Sequence, residues 1–146
     1  PRQSARAIIP TIISQILDGK EKIKLGNLLP TRDLTYVSDT VSGFIAAASS
    51  DKTIGEVVNL GTGNEISIGD LVVKIASLME KKINILSDEQ RMRPQNSEVE
   101  RLLSCPQKMY NLTGWRAQTT LDEGLKKTIA WMKNCQGIYK SDIYNV

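Results

Sequence analysis

The chain has 146 residues, of which 40% are hydrophobic and 24% charged, as is typical of a soluble globular domain large enough to bury a core. Its 19 basic and 16 acidic residues are scattered and leave a formal net charge of +3, so binding of nucleic acid is not indicated. The absence of histidine excludes a Ser-His-Asp triad and histidine-ligated metal sites, and no apolar run approaches the roughly 20 residues that span a bilayer.

The first predicted element is a helix between Ser4 and Asp18, where apolar residues recur at helical spacing and Gly19 follows as a stop signal. Pro10 lies inside this pattern, so the helix either begins near Pro10 or is kinked there. A short strand is predicted at Lys22–Leu25, and a loop follows it.

The middle of the chain is predicted to hold two strands and a helix. Leu34–Val37 suggests a brief strand, after which Ser38 and Asp39 offer an N-cap for a helix that runs through Ala48. Glu56–Leu60 is rich in β-branched residues, which favours a buried strand.

Two capping boxes mark the later helices. One is formed by Ser67–Asp70 and the other by Thr120–Glu123, and each precedes an apolar stripe at helical spacing. Between them we predict a strand at Ile83–Leu86 and a short helix at Lys108–Leu112. Helices and short strands therefore alternate, which predicts a mixed α/β fold.

A series of short motifs then gives the chain a family resemblance. In this order they resemble the back half of the extended short-chain dehydrogenase/reductases, and above all their nucleotide-sugar 4,6-dehydratases and 4-epimerases. The wording of Arg93–Leu102 is most similar to bacterial UDP-N-acetylglucosamine 4,6-dehydratases of the legionaminic-acid type. The motifs are Pro1–Gln3, Arg32–Asp39, Val58–Gly63, Arg91–Pro94, Ser97–Val99, Gly114–Trp115 and Leu121–Leu125.

The resemblance implies a particular domain organisation. Residues 1–134 would be the substrate-binding portion, a small mixed α/β domain with a returning strand and helix of an extended Rossmann-type NAD(P)-binding fold, and residues 135–146 a C-terminal tail. Because the chain begins at Pro1 without a start signal, we expect an NAD-binding N-terminal half to lie outside it. The spacing of Cys105 and Cys135 fits neither a disulfide framework nor a metal site, which agrees with a cytoplasmic protein. The resemblance also implies a homodimer at full length.

The activity that the resemblance implies is oxidation of a nucleotide sugar at C4 by NAD, loss of water across C5–C6 and return of hydride to C6. A 4-epimerase, which returns hydride to C4 from the other face, and a non-catalytic nucleotide-binding or structural module remain alternatives. None of Tyr36, Tyr110 and Tyr139 has a lysine four residues on, and the turn at Gly61 and Gly63 lacks a third glycine. No catalytic, cofactor-binding or metal-binding residue is therefore predicted in this chain, and the chain alone is predicted to be inactive.

Four polar residues are predicted to bind the diphosphate of a nucleotide sugar, such as a UDP-sugar. Arginine offers a planar, permanently charged fork that suits a pyrophosphate. Arg93 matches the family arginine that grips the diphosphate, and Arg32 matches a second one near the phosphates or ribose. Arg91 is an alternative to Arg93 because a loop can shift the match by two residues. Asn59 matches a polar residue at the strand end near the phosphates, where a turn-forming role is the other interpretation.

Four apolar residues complete the predicted site. Ile23 and Leu25 fall where the family packs the nucleobase, and Ala7 and Ile8 match a segment that contacts the substrate. For each pair, burial in the protein core is the alternative interpretation.

Two acidic residues could be taken for a pair of acid-base groups. The favoured interpretation is structural: Asp39 caps the helix that follows it, and Asp33 braces neighbouring backbone. Ser104 stands close to where the family has a helix-capping Asp, and we expect it to cap the short helix near Lys108.

The run Glu56–Leu60 also predicts how the chain behaves on its own. It is apolar on both faces, as in a parallel sheet covered on both sides, and its neighbouring strands are expected to lie outside the chain. An open strand edge and uncovered apolar surface invite association. We therefore expect the chain to self-associate, or to be stable only with its missing half.

Overall fold

The computed structural model describes residues 3, 4, 6–91, 98–135 and 139. The chain divides into two compact units, the first formed by residues 1–30, 67–99 and 125–146 and the second by residues 31–66 and 100–124. No helix in the described ranges is both long and apolar enough to cross a membrane. In chain order the elements are α1 (Ile8–Leu17), β1 (Lys22–Leu25), β2 (Thr31–Arg32), α2 (Val37–Ala48), β3 (Ile66–Ser67), α3 (Ile68–Leu78), β4 (Asn84–Ser87), β5 (Arg101–Leu102), α4 (Gln107–Thr113) and α5 (Leu121–Asn134).

The first unit is built around a parallel pair of strands. β1 pairs with β4, with Lys22 opposite Asn84 and Leu25 opposite Ser87. Helix α1 packs against both β1 and α3. Because side chains alternate along a strand, β1 buries its two apolar residues and exposes its two lysines. The buried apolar side chains of this unit are Ile12, Ile13, Ile16, Ile23, Leu25, Ile68, Leu71, Val72, Ile75, Ala76, Met79, Leu125, Ile129 and Met132.

Helix α1 begins close to its proline. The helix starts at Ile8, so Pro10 lies in the first turn, where a missing N–H breaks no intrahelical bond. Of the two alternatives, the structure therefore shows a start near Pro10. The helix ends as predicted at Gly19, whose φ of 76° is the left-handed conformation that glycine adopts without strain.

A buried glutamine ties α1 to the sheet. The Gln15 side-chain carbonyl accepts from the Lys24 backbone N–H at 2.9 Å, and its amide donates to the Lys24 carbonyl at 3.2 Å. Burial of a polar side chain costs free energy unless it finds partners, and β1 supplies both. Gln15 thus pairs with both backbone groups of Lys24, and β4 pairs with β1 along its length.

The second unit carries a three-stranded sheet in the order β3-β2-β5. β2 and β5 run parallel, with Thr31 opposite Arg101 and Arg32 opposite Leu102. The buried apolar residues of this unit include Met109 and Trp115. These short strands place Arg32 at the carboxyl end of a central strand.

Helix α2 presents an apolar stripe to solvent. Val37, Val41, Phe44 and Ile45 recur at helical spacing and are at least half exposed, with Phe44 at 66%. On its other face Gly43 lies so close to Leu60 that an added Cβ would stand 2.8 Å from a Leu60 methyl carbon. One face of α2 is therefore packed within its unit, and the opposite face lacks cover among the described residues.

Two expectations for the middle of the chain were wrong. The brief strand predicted at Leu34–Val37 lies instead at Thr31–Arg32, and helix α2 already begins at Val37. The N-cap of α2 is Tyr36, without a side-chain hydrogen bond, so Ser38 and Asp39 do not cap it. Asp39 instead has a partner distant in the chain, which no local pattern shows.

The strand predicted at Glu56–Leu60 is also absent. This stretch is described throughout, yet it joins no sheet, and Val57 is 81% exposed. Composition alone does not make a strand, because its backbone groups need a neighbouring ladder. None of the described residues supplies that ladder.

The capping predictions had mixed outcomes. Ser67 caps α3 by accepting from the Asp70 N–H at 3.0 Å, and Thr120 and Glu123 exchange reciprocal bonds at the start of α5, as predicted. The cap predicted from Ser104 was wrong, because the N-cap of α4 is Pro106. The Ser104 hydroxyl oxygen is buried and has no hydrogen-bond partner among the described residues.

Candidate functional site

The site is built first on Asp33, which follows β2. Its carboxylate accepts from the Thr62 N–H at 3.0 Å, from the Thr62 hydroxyl at 2.6 Å and from the Gly63 N–H at 2.8 Å. The carboxylate thus acts as an acceptor for a backbone turn, which is a structural use of the group. The prediction that Asp33 braces neighbouring backbone is confirmed.

The turn that Asp33 holds is sterically tight. A Cβ on Gly61 would lie 2.2 Å from the Ser104 Cβ and 2.8 Å from an Asp33 carboxylate oxygen, so only glycine fits there. Gly63 adopts a φ of 76°, which also favours glycine. The two glycines are therefore explained by packing and backbone conformation within the unit.

This turn does not fit a dinucleotide. A dinucleotide-binding glycine turn offers free backbone N–H groups to a pyrophosphate at the start of a helix. Here the N–H groups of Thr62 and Gly63 donate to Asp33. An anion at this turn would have to displace a carboxylate, so the residues present do not form a site for NAD.

Arg32 and Asn59, both predicted diphosphate ligands, lie in this second unit. Arg32 is half-buried on β2, and its Nη1 donates to the Thr31 carbonyl at 2.7 Å. Asn59 is exposed and lies on the segment that leads into the Gly61 turn. Asp33 therefore connects the strand that carries Arg32 with the turn that follows Asn59.

Arg91, the alternative to Arg93, lies in the first unit and has an ionic partner. Its Nε stands 3.1 Å from an Asp88 carboxylate oxygen, and its side chain is only 13% exposed. An arginine paired in this way is less available to a substrate phosphate. Arg93 itself lies outside the described residues, so its role stays a prediction.

The predicted apolar contacts divide by burial. Ile23 and Leu25 are 0% and 1% exposed, which agrees with the alternative that they belong to the core. Ala7 and Ile8 are partly exposed at the start of α1. All four lie in the first unit, whereas Arg32 and Asn59 lie in the second.

A pocket of about 370 Å³ lies in the second unit. None of the predicted ligands among the described residues lines this pocket. Its carboxylate is that of Glu65, whose pKa falls from 4.5 to about 2 because Arg101 and Thr31 donate hydrogen bonds to it. The paired Arg101 guanidinium offsets this charge, so the pair gives the pocket no net positive charge that would attract a phosphate. The lining residues are Leu34, Thr62, Asn64, Glu65, Ile66, Ala117, Gln118, Thr119, Thr120 and Leu121.

The family model for GDP-mannose 4,6 dehydratase matches residues 1–128, most of the chain. The chain belongs to this family. Membership in the GDP-mannose 4,6 dehydratase family confirms the coarser prediction, the nucleotide-sugar dehydratase and epimerase class, while the finer substrate assignment remains a proposal.

Individual relatives in the family point the same way. The chain is 30% identical over 142 residues to dTDP-D-glucose 4,6-dehydratase of Homo sapiens. The aligned region covers 91% of the chain and 38% of the relative. It is similar to the structure of dTDP-glucose 4,6-dehydratase from Bacillus anthracis in complex with NAD, with a TM-score of 0.80, 27% identity and coverage of 95% and 43%. It is also similar to UDP-glucuronic acid 4-epimerase from Bacillus cereus in complex with UDP-glucuronic acid and NAD, with a TM-score of 0.81, 26% identity and coverage of 92% and 42%.

These likenesses confirm the predicted α/β, Rossmann-type fold class. They also show that the chain spans about two fifths of the length of the family members it matches.

The contacts that sequence reasoning missed in this family member are long-range ones. Asp39 accepts from the Thr119 backbone N–H, and Arg101 forms a two-pronged pair with Glu65. Nothing in the local sequence around either pair signals its partner. For Arg101 and Glu65, the opposite charges of the two residues are the only sign of the pairing in the sequence, and many other residues share it.

Proposed function

We propose that this chain is the nucleotide-sugar-binding part of an NAD-dependent 4,6-dehydratase. The finer proposal is an enzyme acting on UDP-N-acetylglucosamine in the cytoplasm, as a homodimer at full length. The observation that carries the proposal is the family match over residues 1–128, together with Asp33, which joins the Arg32 strand to the Asn59 segment. Arg32 and Asn59 are the two proposed diphosphate ligands that the structure describes.

The diphosphate grip in this proposal uses arginine. Arg93 is proposed to supply the main fork, and Arg32 a second one. The ion pair between Arg91 and Asp88 supports the choice of Arg93 over Arg91 as the partner of the phosphates. Both arginines would hold the ground state and the transition state alike, so they set affinity more than turnover.

The cofactor in this proposal is NAD, which supplies hydride acceptance and return at the sugar. This chain would hold little of it, because the Gly61–Gly63 turn already donates to Asp33. A dinucleotide-binding part outside residues 1–146 would bind NAD and provide the acid-base pair. Residues 1–134 would then be the substrate-binding portion, and 135–146 a tail.

The exposed stripe of α2 supports this division of labour. Val41, Phe44 and Ile45 are exposed on one face of the helix. A partner that brings an apolar face would cover them. The relatives are more than twice as long as this chain, and we assign that role to the dinucleotide-binding part.

A 4-epimerase is the second candidate. The likeness to UDP-glucuronic acid 4-epimerase, at a TM-score of 0.81, is as close as that to the dehydratase. The two reactions share C4 oxidation and differ in where hydride returns, so they place the same demand on a diphosphate site. A module that only binds nucleotides is the third candidate.

Calorimetric titration with UDP tests the binding proposal. We expect saturable binding by the 146-residue chain, weaker in Arg32→Ala and Asn59→Ala and unchanged in Arg116→Ala, an exposed arginine of the same unit. Absence of saturable binding at millimolar UDP, with and without a dinucleotide-binding part, would reject it.

A turnover assay separates the three candidates. With NAD and UDP-N-acetylglucosamine, the chain alone should form no 4-keto sugar. In the complete enzyme a 4-keto-6-deoxy product indicates the dehydratase, a C4 epimer indicates the epimerase, and no product indicates the binding module. Formation of a 4-keto sugar by the chain alone would contradict the proposed division.

A further inference from the structure

We infer that Asp33 is a positioning residue that fixes the Asn59 segment relative to Arg32. The inference rests on the proposed function, in which both residues face the diphosphate. Asp33 directly follows Arg32 in the chain, and its carboxylate binds the turn at Thr62 and Gly63. One side chain therefore sets the spacing between two predicted ligands that are distant in sequence.

The Asp33 carboxylate is fully engaged by the turn. Both carboxylate oxygens are used, and the shortest bond, 2.6 Å, comes from the Thr62 hydroxyl. The same hydroxyl accepts from the Asn64 N–H at 3.1 Å, so Thr62 links Asp33 to the far side of the turn. Loss of the carboxylate would take this acceptor from the Thr62 and Gly63 N–H groups, and would leave the Thr62 hydroxyl only its 3.3 Å contact with the Asn64 carbonyl.

Packing limits the direction in which the turn can move when Asp33 is lost. Gly61 is buried, and its Cα lies against the Ser104 side chain so closely that no Cβ fits between them. The turn cannot shift towards Ser104, and without Asp33 it is free only to move away. A displacement of the turn would carry Asn59, two residues before Gly61, with it.

Hydrogen-bond donors offset the negative charge of Asp33. A carboxylate beside a diphosphate repels it, unless hydrogen-bond donors offset the charge. The donors from Thr62 and Gly63 do so here. This explains how an acidic residue can directly follow a predicted phosphate ligand.

A double-mutant cycle on the 146-residue chain tests the inference, with UDP as the probe. We expect Asp33→Ala to weaken UDP binding about tenfold and Asp33→Asn less, since the amide keeps one acceptor oxygen. In an Asn59→Ala background the effect of Asp33→Ala should largely disappear, because the turn then positions nothing. Asp51→Ala, an exposed acid of the same unit, is the control for general charge effects.

A milder variant guards against a folding defect. Thr62→Val removes the hydroxyl, with its bonds to Asp33 and to the Asn64 backbone, but keeps the Asp33 carboxylate and its two backbone donors. Thr62→Ser restores the hydroxyl. We expect the valine variant to weaken UDP binding while it still melts cooperatively, and the serine variant to bind like the wild type. Equal affinity in Asp33→Ala and the wild type, or an undiminished Asp33→Ala effect in the Asn59→Ala background, would overturn the inference.

Hydrogen exchange separates this inference from the proposed function. In Asp33→Ala, amides 59–63 should exchange faster while those of β1 stay protected. If UDP binds neither to the chain alone nor to the chain with a dinucleotide-binding part, the proposed function fails. Hydrogen exchange still tests whether Asp33 holds the turn. Faster exchange at 59–63 would support its hold on the turn, and unchanged exchange would overturn it.

Discussion

The carboxylate of Asp39 accepts a hydrogen bond of 2.8 Å from the backbone N–H of Thr119. Asp39 is only 5% exposed, and this bond joins the first turn of α2 to the loop before α5. It explains an acidic residue in the core of the second unit, where an unpaired carboxylate would be costly.

This bond predicts a specific loss of stability. Asp39→Ala should lower the free energy of unfolding by about 1–3 kcal/mol, because it leaves a backbone N–H without its acceptor. Urea denaturation measures the change. The control is Ser38→Ala: Ser38 is exposed and does not cap α2, so its loss should stay within about 0.5 kcal/mol. A larger loss for Ser38→Ala than for Asp39→Ala would favour the cap expected from sequence.

Gly61 predicts a steric effect. Gly61→Ala would force a Cβ to within 2.2 Å of the Ser104 Cβ, and overpacking of this kind costs about 1–3 kcal/mol. Gly69→Ala is a matched control, because its Cβ would meet nothing closer than 3.7 Å and it lies in α3. There alanine should stabilise the helix by up to about 1 kcal/mol. Thermal melts that show equal shifts for both variants would contradict the close approach.

The Glu65 carboxyl predicts a titration. Its pKa is lowered from 4.5 to about 2, chiefly by the hydrogen bond from Arg101. A lowered pKa stabilises the fold above the unfolded value, and this contribution is lost as pH falls from about 4.5 towards 2. NMR titration of the Glu65 side chain should show a midpoint near 2 in the wild type and one closer to 4.5 in Arg101→Gln. Arg116→Gln should leave it unchanged.

The two neighbouring arginines predict opposite phenotypes. In the complete enzyme, Arg93→Ala should weaken nucleotide-sugar binding by roughly 1.5–3 kcal/mol, and Arg93→Lys should recover only part. Arg91→Ala should instead lower stability, since it breaks the pair with Asp88. Calorimetry and melting separate the two. If Arg91→Ala abolishes binding and Arg93→Ala has no effect, then Arg91 is the residue that matches the family arginine, two residues before the predicted one.

The stripe on α2 predicts self-association of the chain. Replacing the exposed Val41 and Phe44 by glutamine should shift the chain towards a monomer in light scattering coupled to size-exclusion chromatography. Val73→Gln, at an exposed position on α3, is the control and should change nothing. A wild-type chain that is already a monodisperse monomer, with a melt unaffected by a dinucleotide-binding part, would contradict the prediction.

Elements with local signals were the ones that sequence could predict. Ser67 and Thr120 each meet their capping partner three residues on, so the helix starts are encoded within one turn. β1 follows from alternation within four residues. For Asp33, the structural role could be predicted from the sequence, but its partners Thr62 and Gly63 could not.

Elements that depend on distant partners were missed or misplaced. β2 and β5 are two residues long and exist because Thr31 lies opposite Arg101, which no local pattern shows. Glu56–Leu60 has the composition of a strand and no strand beside it among the described residues. For the candidate site, the resemblance named Arg32 and Asn59, and only the structure shows the side chain that links their segments.

The order of the two units along the chain has a consequence for synthesis and for truncation. The first unit is assembled from residues 1–30, 67–99 and 125–146, with the second threaded between them as residues 31–66 and 100–124. On the ribosome β1 must wait for β4 to emerge, and Leu125, Ile129 and Met132 of the first core arrive last of all. Neither unit can be produced by simply shortening the chain from one end, so any dissection of this protein has to cut and rejoin it.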